Sequence, residues 1–227
     1  MSSRLTIHHL RRSQSERVLW LCEELGIPYQ LETHLRRPPN LVAPDEIRKL
    51  HWAGNAPIIQ DGDICLAETG AIFEYILAKY GNGQLVLPPT HPNYADYVFW
   101  LHRENGTTMP SLISLMFMQL NGISKENHGY VNMQRRVDAT YEAMDRQLSK
   151  FPYLAGEEFT AADCMSLFSL TTFRVFAPFS LEKYPNIVAY LQRVGQRDAY
   201  KRAMGKGDPD MEPILSADPP KPLWESS

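Results

Sequence analysis

The first 80 residues alternate between strand-like and helix-like segments, and this order narrows the possible folds more than any other feature of the chain. Asp61-Gly62 separates two short apolar runs and is a hairpin signal. The succession β-α-β-α-β-β-α therefore predicts an α/β sandwich domain that joins a parallel crossover to an antiparallel hairpin. In chain order the segments are LTIHHL, SERVLWLCEELG, IPYQLETHL, APDEIRKLH, APIIQ, DICLA and ETGAIFEYILAKYG.

The rest of the chain has helical periodicity without strand alternation, which predicts an all-α second domain. Glycines and three prolines in GNGQLVLPPTHPNYA indicate a linker before it. Five prolines in the 23 residues after Met204 indicate an irregular tail. The predicted boundaries are 1–82 for the α/β domain, 83–92 for the linker, 93–205 for the helical domain and 206–227 for the tail.

Composition excludes several classes of partner. A formal charge of -3 gives no electrostatic reason to expect nucleic acid or an anionic membrane. The longest apolar runs are far short of a membrane span, and the N-terminus lacks the apolar core of a secretory signal. Three widely spaced cysteines argue against a disulfide framework or a zinc site and suit a reducing compartment. We therefore expect a cytoplasmic protein without a bound metal.

The turn HHLRRSQSER offers two serines where the first strand gives way to the first helix. Ser13 and Glu16 have the spacing of a capping box, so Ser13 could simply cap the helix. Alternatively, a hydroxyl at a helix N-terminus can donate to a bound thiolate while the helix dipole lowers the pKa of that thiol. Ser15 is the second candidate hydroxyl, and Arg17 is expected to be a structural ion-pair partner.

A second helix start, in LAETGAIF, has the chemistry of an amino-acid binding site. Free N–H groups at Thr69 and Gly70 favour an anion, and Glu68 can meet an ammonium group. The structural alternative is that Thr69 is only an N-cap. Pro57 starts a strand, where proline cannot donate to the ladder, and a cis bond there would leave the main chain of Ala56 open to an extended ligand.

Five colinear motifs resemble the cytosolic glutathione S-transferases, especially the bacterial and fungal branch that carries SRSQRVLWLLEELG and HPLGKAPVLEDGD. The resemblance runs from about residue 4 to 205 and includes both sides of the linker. It implies a thioredoxin-like first domain that binds glutathione as co-substrate, a helical second domain that builds the electrophile pocket, and a homodimer. The motifs are SQSERVLWLCEELGIPY, APDEIRKLHWAGNAPII, DGDICLAETGAIFEYIL, FTAADC and KYPNIVAYLQRV.

The resemblance also implies roles for individual residues. Ser13 falls where serine-type members place the thiolate-stabilising hydroxyl, and Ser15 matches the second serine of the branch motif. Pro57 matches a cis-proline, and the main chain of Ala56 would pair with the cysteinyl unit of glutathione. Glu68 and Thr69 match the pair of residues that holds the γ-glutamyl group, and His51 matches the histidine of HPLGK. Thr160 and Asp163 match the capping box of the second domain.

The sequence departs from the branch pattern at both ends of the implied glutathione site. Asn55 replaces a lysine or arginine that reaches the glycine carboxylate, and loss of that charge-assisted hydrogen bond should weaken affinity by about tenfold or more. Trp52 replaces a proline near the same end. At the thiol edge, Arg11 and Arg12 stand where relatives often carry two asparagines.

The implied activity is attack of the glutathione thiolate on hydrophobic electrophiles, as in detoxifying transferases. Apolar and methionine side chains in FWLHRENGTTMPSLISLMFMQ, the first long helix predicted for the second domain, suit an adaptable pocket. The candidates are His102, Arg103, Met109, Leu112 and Phe117. Two alternative functions remain open. The protein could be a glutathione-assisted isomerase or lyase of a specialised pathway, or a non-catalytic binding or regulatory protein with the same fold.

Overall fold

The computed structural model describes residues 5–38 and 42–223, which form two compact units. One unit contains the described residues up to Val86 together with Gly195–Pro213. The other contains Leu87–Val194 together with the described residues from Ile214 onward. No helix in the described ranges combines the length and apolarity that a membrane crossing requires.

The first unit is built on a four-stranded mixed sheet of order β2-β1-β3-β4. β1 runs parallel to β2 and antiparallel to β3, and β3 forms a hairpin with β4. This confirms the predicted β-α-β-α-β-β-α order and the hairpin at Asp61-Gly62. The elements are β1 Leu5–Leu10, α1 Glu16–Leu25, β2 Gln30–His34, α2 Asp45–Leu50, β3 Ile58–Asp61, β4 Ile64–Ala67, α3 Thr69–Tyr80 and α9 Asp198–Gly207.

Local sequence explains where these elements end. α1 stops at Gly26, which adopts the left-handed conformation (φ 63°) that glycine enters at little cost, and its N–H bonds back to the last turn.

Ile7 of β1 and Ile59 of β3 pair directly and are fully buried, as are Val18 and Leu21 of α1. The sheet and α1 therefore contribute to a common apolar core.

α9 lies against α1 inside the first unit, whereas the sequence-based division grouped it with the helical segment 93–205. Trp20 and Tyr200 meet edge to face with ring centroids 5.2 Å apart. Arg202 and Lys206 of α9 donate to the carboxylate of Glu23 on α1. These apolar and ionic contacts explain why a helix so late in the chain belongs to the sheet unit.

The second unit is helical in its described part, as predicted. Its long first helix is interrupted by a π-helical turn at Glu104–Thr108, and Pro110 is the second residue of the helix that follows. Proline has no N–H for the carbonyl four residues earlier, so regular α-helical bonding cannot continue through this point. The α-helices are α4 Tyr94–Arg103, α5 Met109–Leu120, α6 His128–Leu148, α7 Ala161–Leu170 and α8 Pro185–Gly195.

The capping box predicted for FTAADC is confirmed at the start of α7. The Thr160 side chain bonds to the backbone of Asp163, and the Asp163 side chain bonds back to the backbone of Thr160. Asp163 also accepts from the N–H of Leu154 and the hydroxyl of Tyr190, both at 3.0 Å. The carboxylate thus joins three segments of the helical unit.

α9 extends to Gly207, and residues 208–222 of the tail form neither helix nor strand. Arg174 is fully buried and holds the part of the tail that belongs to the second unit. Its guanidinium donates to the carbonyls of Phe179, Ser216 and Ala217 at 2.9–3.2 Å. This part of the tail is therefore hydrogen-bonded to the turn that follows α7.

Candidate active site

Neither serine of the β1–α1 turn caps the helix in the predicted way. α1 begins at Glu16, its N-cap is Ser15, and no side chain accepts a capping hydrogen bond there. The capping-box interpretation of Ser13 is therefore wrong. Arg12 turns into the left-handed region (φ 53°), and the chain makes a further turn through Ser13 before the helix starts. Ser13 then bonds to Ser15 rather than to the first helical turn.

The hydroxyl of Ser15 is fully buried and surrounded by hydrogen-bonding atoms. Its Oγ lies 2.8 Å from Nδ1 of His9 and 2.8 Å from Oγ of Ser13. It also accepts from the N–H of Leu10 at 3.1 Å and lies 3.2 Å from the carbonyl of Leu10. A serine hydroxyl has one hydrogen and two lone pairs, so these four neighbouring atoms leave none of its hydrogen-bonding positions free.

The hydroxyl of Ser13 has a different environment. The residue is 6% exposed, and its Oγ accepts from the N–H of Ser15 at 3.2 Å in addition to the contact with the Ser15 hydroxyl. A serine hydroxyl has one hydrogen and two lone pairs. When both lone pairs accept from Ser15, the hydrogen of Ser13 remains to be donated to a third group.

The arginines of the turn are tied to acidic residues that follow α9 in the same unit. Nε of Arg11 and the backbone N–H of Arg12 donate to the carboxylate of Asp208 at 3.1–3.2 Å. Both guanidinium groups also pair with Asp210. Arg17 is buried, and its Nη1 donates to the side chain of Gln14 at 2.8 Å.

The segment between α2 and β3 has the predicted cis peptide bond, which joins Ala56 and Pro57. Asn55 is exposed beside it, and Trp52 is 92% exposed with its ring 5.4 Å from the ring of His51. Nδ1 of His51 accepts the N–H of Ala53 at 3.1 Å, which fixes the turn before Asn55.

The start of α3 presents an exposed carboxylate next to a buried hydroxyl residue. Glu68 has φ 71°, a conformation rare for residues other than glycine and costly by about 1–3 kcal/mol. Such strain is concentrated at ligand-binding positions. Thr69 is buried and is the first residue of the helix, so it is not the N-cap that the structural alternative required.

The five residues predicted for the electrophile pocket lie on one continuous stretch of the helical unit, in different environments. Met109 and Leu112 are buried, whereas His102 and Phe117 are exposed. Nη2 of Arg103 donates to the hydroxyl of Thr140 at 2.8 Å, and its guanidinium lies over the ring of Phe99.

A cavity of about 330 Å³ in this unit brings together only one of the five, Leu112. Leu115, Asp138, Tyr141, Phe179 and Tyr184 are among its other lining residues.

Sequence reasoning missed His9 and Asp208. His9 is fully buried on β1, and its Nε2 lies 3.4 Å from Oδ2 of Asp208, at ion-pair distance. The alternation Leu5, Ile7, His9 along β1 was a usable signal, because it places the histidine on a face with two core residues. No local pattern signals Asp208.

The described residues, 5–38 and 42–223, contain no group of three or more His, Cys, Asp or Glu side chains suited to a metal ion.

Two sequence profiles of one family match the chain in order. Residues 7–84 match the glutathione S-transferase N-terminal domain, and residues 107–198 match the glutathione S-transferase C-terminal domain. The chain is 28% identical to glutathione S-transferase 3 of Schizosaccharomyces pombe over 226 residues, covering 89% of this chain and 87% of the relative. It is 26% identical to glutathione S-transferase 1 of Manduca sexta, covering 90% and 94%.

A solved structure supports the same assignment. The glutathione S-transferase of Actinobacillus pleuropneumoniae superposes with a TM-score of 0.81 at 28% identity, covering 90% of this chain and 93% of that one. The transferase URE2P8 of Phanerochaete chrysosporium, at 18% identity and a TM-score of 0.70, shares the fold. Because both domain profiles match in order and the relatives align over nearly their full length, the chain belongs to the cytosolic glutathione S-transferase superfamily.

Proposed function

We propose that this protein is a glutathione transferase in which the hydroxyl of Ser13 stabilises the thiolate of bound glutathione. The observation that carries the assignment of Ser13 is the pair of contacts that its Oγ makes with Ser15. The N–H of Ser15 donates to this Oγ, and when the hydroxyl of Ser15 donates to it as well, Ser13 has a hydrogen to give to the thiolate. Hydrogen bonds to a charged group are worth about 1.5–3 kcal/mol.

The assignment favours Ser13 over Ser15 because Ser15 is already fully engaged. To reach a thiolate, the hydroxyl of the fully buried Ser15 would have to give up its bond to His9, Leu10 or Ser13. Leaving a buried polar group unpaired costs about 1–3 kcal/mol, comparable to the gain from the new bond. Ser15 therefore acts behind Ser13 rather than in its place.

The remaining contacts to glutathione would come from two segments of the same unit. The cis bond before Pro57 leaves the main chain of Ala56 to pair with the cysteinyl unit, and His51 shapes the turn beside it. The strained Glu68 presents its carboxylate toward solvent, suited to the γ-glutamyl ammonium, while the N–H of Thr69 suits the carboxylate. Asn55 supplies a neutral side chain for the glycine end.

The chemistry required of the site is activation of the thiol. A free thiol has a pKa of about 8.5, so only a few per cent is ionised at neutral pH. A hydrogen bond from Ser13 and the positive end of α1 both favour the thiolate, whose proton passes to solvent. The thiolate then attacks an electrophilic carbon and either displaces its leaving group or adds to it with uptake of a proton, which gives the conjugate. We assign the electrophile to side chains of the helical unit, with His102, Arg103, Met109, Leu112 and Phe117 as candidates. We also propose a cytoplasmic homodimer, which is the usual assembly in this family.

Retention on immobilised glutathione combined with turnover of a chloro-dinitrobenzene substrate tests the proposal. A transferase should be retained, be released by free glutathione, and yield a product that carries the mass of glutathione. A product without added mass would indicate isomerase chemistry instead. Absence of binding at millimolar glutathione would contradict any glutathione-dependent enzyme.

A further inference from the structure

The proposed thiolate donor and three side chains behind it form a continuous buried chain. Asp208 faces Nε2 of His9 at 3.4 Å, and Nδ1 of His9 contacts Oγ of Ser15 at 2.8 Å. Oγ of Ser15 contacts Oγ of Ser13 at 2.8 Å. All four residues are at most 6% exposed. We call Asp208, His9, Ser15 and Ser13 the hydroxyl relay.

Counting hydrogens shows that the relay has two arrangements. The N–H of Leu10 occupies one lone pair of Ser15, which leaves one lone pair and one hydrogen. If Nδ1 of His9 has no proton, it accepts the Ser15 hydrogen, and the remaining lone pair of Ser15 accepts from Ser13. The Ser13 hydrogen then points inward.

The second arrangement follows when Nδ1 of His9 carries a proton. That N–H donates to the remaining lone pair of Ser15, so both lone pairs of Ser15 are filled. Ser13 can no longer donate to Ser15, and its hydrogen is available to an outside acceptor. A proton on His9 therefore decides the direction of a hydroxyl two side chains away.

We propose that His9, held by Asp208, is a positioning residue that acts through Ser15 to turn the Ser13 hydroxyl toward the glutathione thiolate. The inference rests on the proposed role of Ser13 and identifies what controls it. When His9 is an imidazolium, its two N–H groups face Asp208 and Ser15, and Ser13 donates outward. When His9 is neutral with its proton on Nε2, facing Asp208, Ser13 donates inward.

Charged groups on every side of His9 bear on this switch. Asp208 is anionic: burial opposes its ionisation, but His9 and the donors of Arg12 and Arg11 lower the pKa of Asp208 below its usual value. Asp210 adds a second carboxylate that pairs with both arginines. The opposing positive and titratable groups are Arg11, Arg12, Arg36, His8 and His34.

The relay couples thiolate binding to protonation of His9, and coupling between two sites is reciprocal. If an imidazolium at His9 favours the thiolate, bound glutathione thiolate must favour the imidazolium to the same degree. A charge-assisted hydrogen bond corresponds to about a ten- to hundred-fold change in the His9 protonation equilibrium. A histidine with a purely structural role would show no such response.

Nuclear magnetic resonance of the full-length protein with isotope-labelled histidine rings tests this coupling. The His9 signal is assigned by its loss in His9→Asn, and its titration is followed with and without saturating glutathione. We expect saturating glutathione to shift the His9 protonation equilibrium about ten- to hundred-fold toward the imidazolium, so that the imidazolium persists to higher pH. Ser15→Ala and, independently, Ser13→Ala should abolish this shift. His8→Asn is the matched control, because it removes another buried histidine of β1 that is outside the relay. It alters the electrostatic surroundings of His9 equally with and without glutathione, so the glutathione-induced shift should stay intact.

The outcomes separate the relay from the proposed function. Backbone signals that respond to glutathione while His9 titrates unchanged would overturn the relay and leave the transferase proposal standing. Persistence of the shift in both Ser15→Ala and Ser13→Ala would also overturn it. No response to glutathione in any signal would contradict the proposed function, and with it the relay.

Discussion

Glu24 of α1 and Arg197, directly before α9, form a two-point ion pair. Nε and Nη2 of the guanidinium lie 2.6 and 2.7 Å from the two carboxylate oxygens, and the indole N–H of Trp20 adds a third donor at 2.9 Å. The Glu24 side chain is 7% exposed and that of Arg197 is 28% exposed. The pair is thus partly shielded from water, where bidentate geometry is most stabilising.

We expect Arg197→Lys to lower the free energy of unfolding by about 1–2 kcal/mol, because a single ammonium cannot satisfy both oxygens. Urea unfolding measures the loss. Arg193→Lys is the matched control, since Arg193 makes a single bond to a backbone carbonyl at an exposed position. Equal losses in the two variants would show that the two-point geometry contributes nothing.

Asp61 should make the protein sensitive to acid. Its buried carboxylate accepts from Lys79, Tyr75 and Tyr80, and although burial opposes ionisation, these donors lower its pKa to about 2 from 3.8. A depressed folded-state pKa contributes stability above 3.8 that disappears as the pH falls through about 2. The contribution is about 2 kcal/mol.

Unfolding of Asp61→Asn by urea across this acid range should show a shallower pH dependence than the parent protein. Asp63→Asn is the control, because Asp63 belongs to the same hairpin and is exposed. An unchanged pH dependence in Asp61→Asn would contradict the assignment.

Loss of the Asp163 carboxylate should destabilise the helical unit strongly. Asp163→Ala leaves the N–H groups of Leu154 and Thr160 and the hydroxyl of Tyr190 without their acceptor in a buried place, which should cost about 3 kcal/mol or more. Thr160→Ser keeps the capping hydroxyl and should cost less than about 1 kcal/mol. Chemical denaturation followed by circular dichroism compares them, and similar losses would refute the ranking.

Asn55→Lys should strengthen binding of glutathione. The resemblance to related transferases implies a cation at this position for the glycine carboxylate, and Asn55 is exposed, so a lysine needs no burial. Restoring one charge-assisted bond predicts an affinity gain of about tenfold, which should fall at high salt. Calorimetric titration with glutathione measures it, and Asn55→Gln controls for side-chain length. A gain with glutamine, or none with lysine, would argue against a carboxylate at this position.

Ser13→Ala should raise the pKa of the bound glutathione thiol by about 1–2 units, the equivalent of one charge-assisted hydrogen bond. The ultraviolet absorbance of the thiolate across pH measures this directly. Ser15→Ala should have the smaller effect, since Ser15 acts through Ser13. A larger shift in Ser15→Ala than in Ser13→Ala would reverse the assignment of the donor.

Local signals explain what sequence predicted well. The Asp61-Gly62 turn and the Thr160–Asp163 box depend on residues a few positions apart, and the structure has both. The cis bond at Pro57 followed from the family resemblance rather than from local chemistry. Such features can be predicted from sequence because each is determined by hydrogen bonds and backbone conformation within a few consecutive residues.

Long-range contacts explain what sequence could not predict. The box assigned to Ser13 failed because Arg12 enters the left-handed region, where its N–H meets Asp208 from the far end of the chain. Asp208 also faces His9, so the histidine could be recognised as buried but not as part of a site. The candidate donor was found from its motif, whereas its supporting residues needed the fold.

The position of α9 has a consequence for how the chain folds as it is synthesised. β1, α1 and α3 leave the ribosome early, but the helix that covers Glu23 and Glu24 comes about 120 residues later, or ~6–24 s at typical translation rates. Until then Trp20 lacks Tyr200, and the turn that carries Ser13 lacks Asp208. The unit whose synthesis begins first is therefore among the last parts of the protein to be completed.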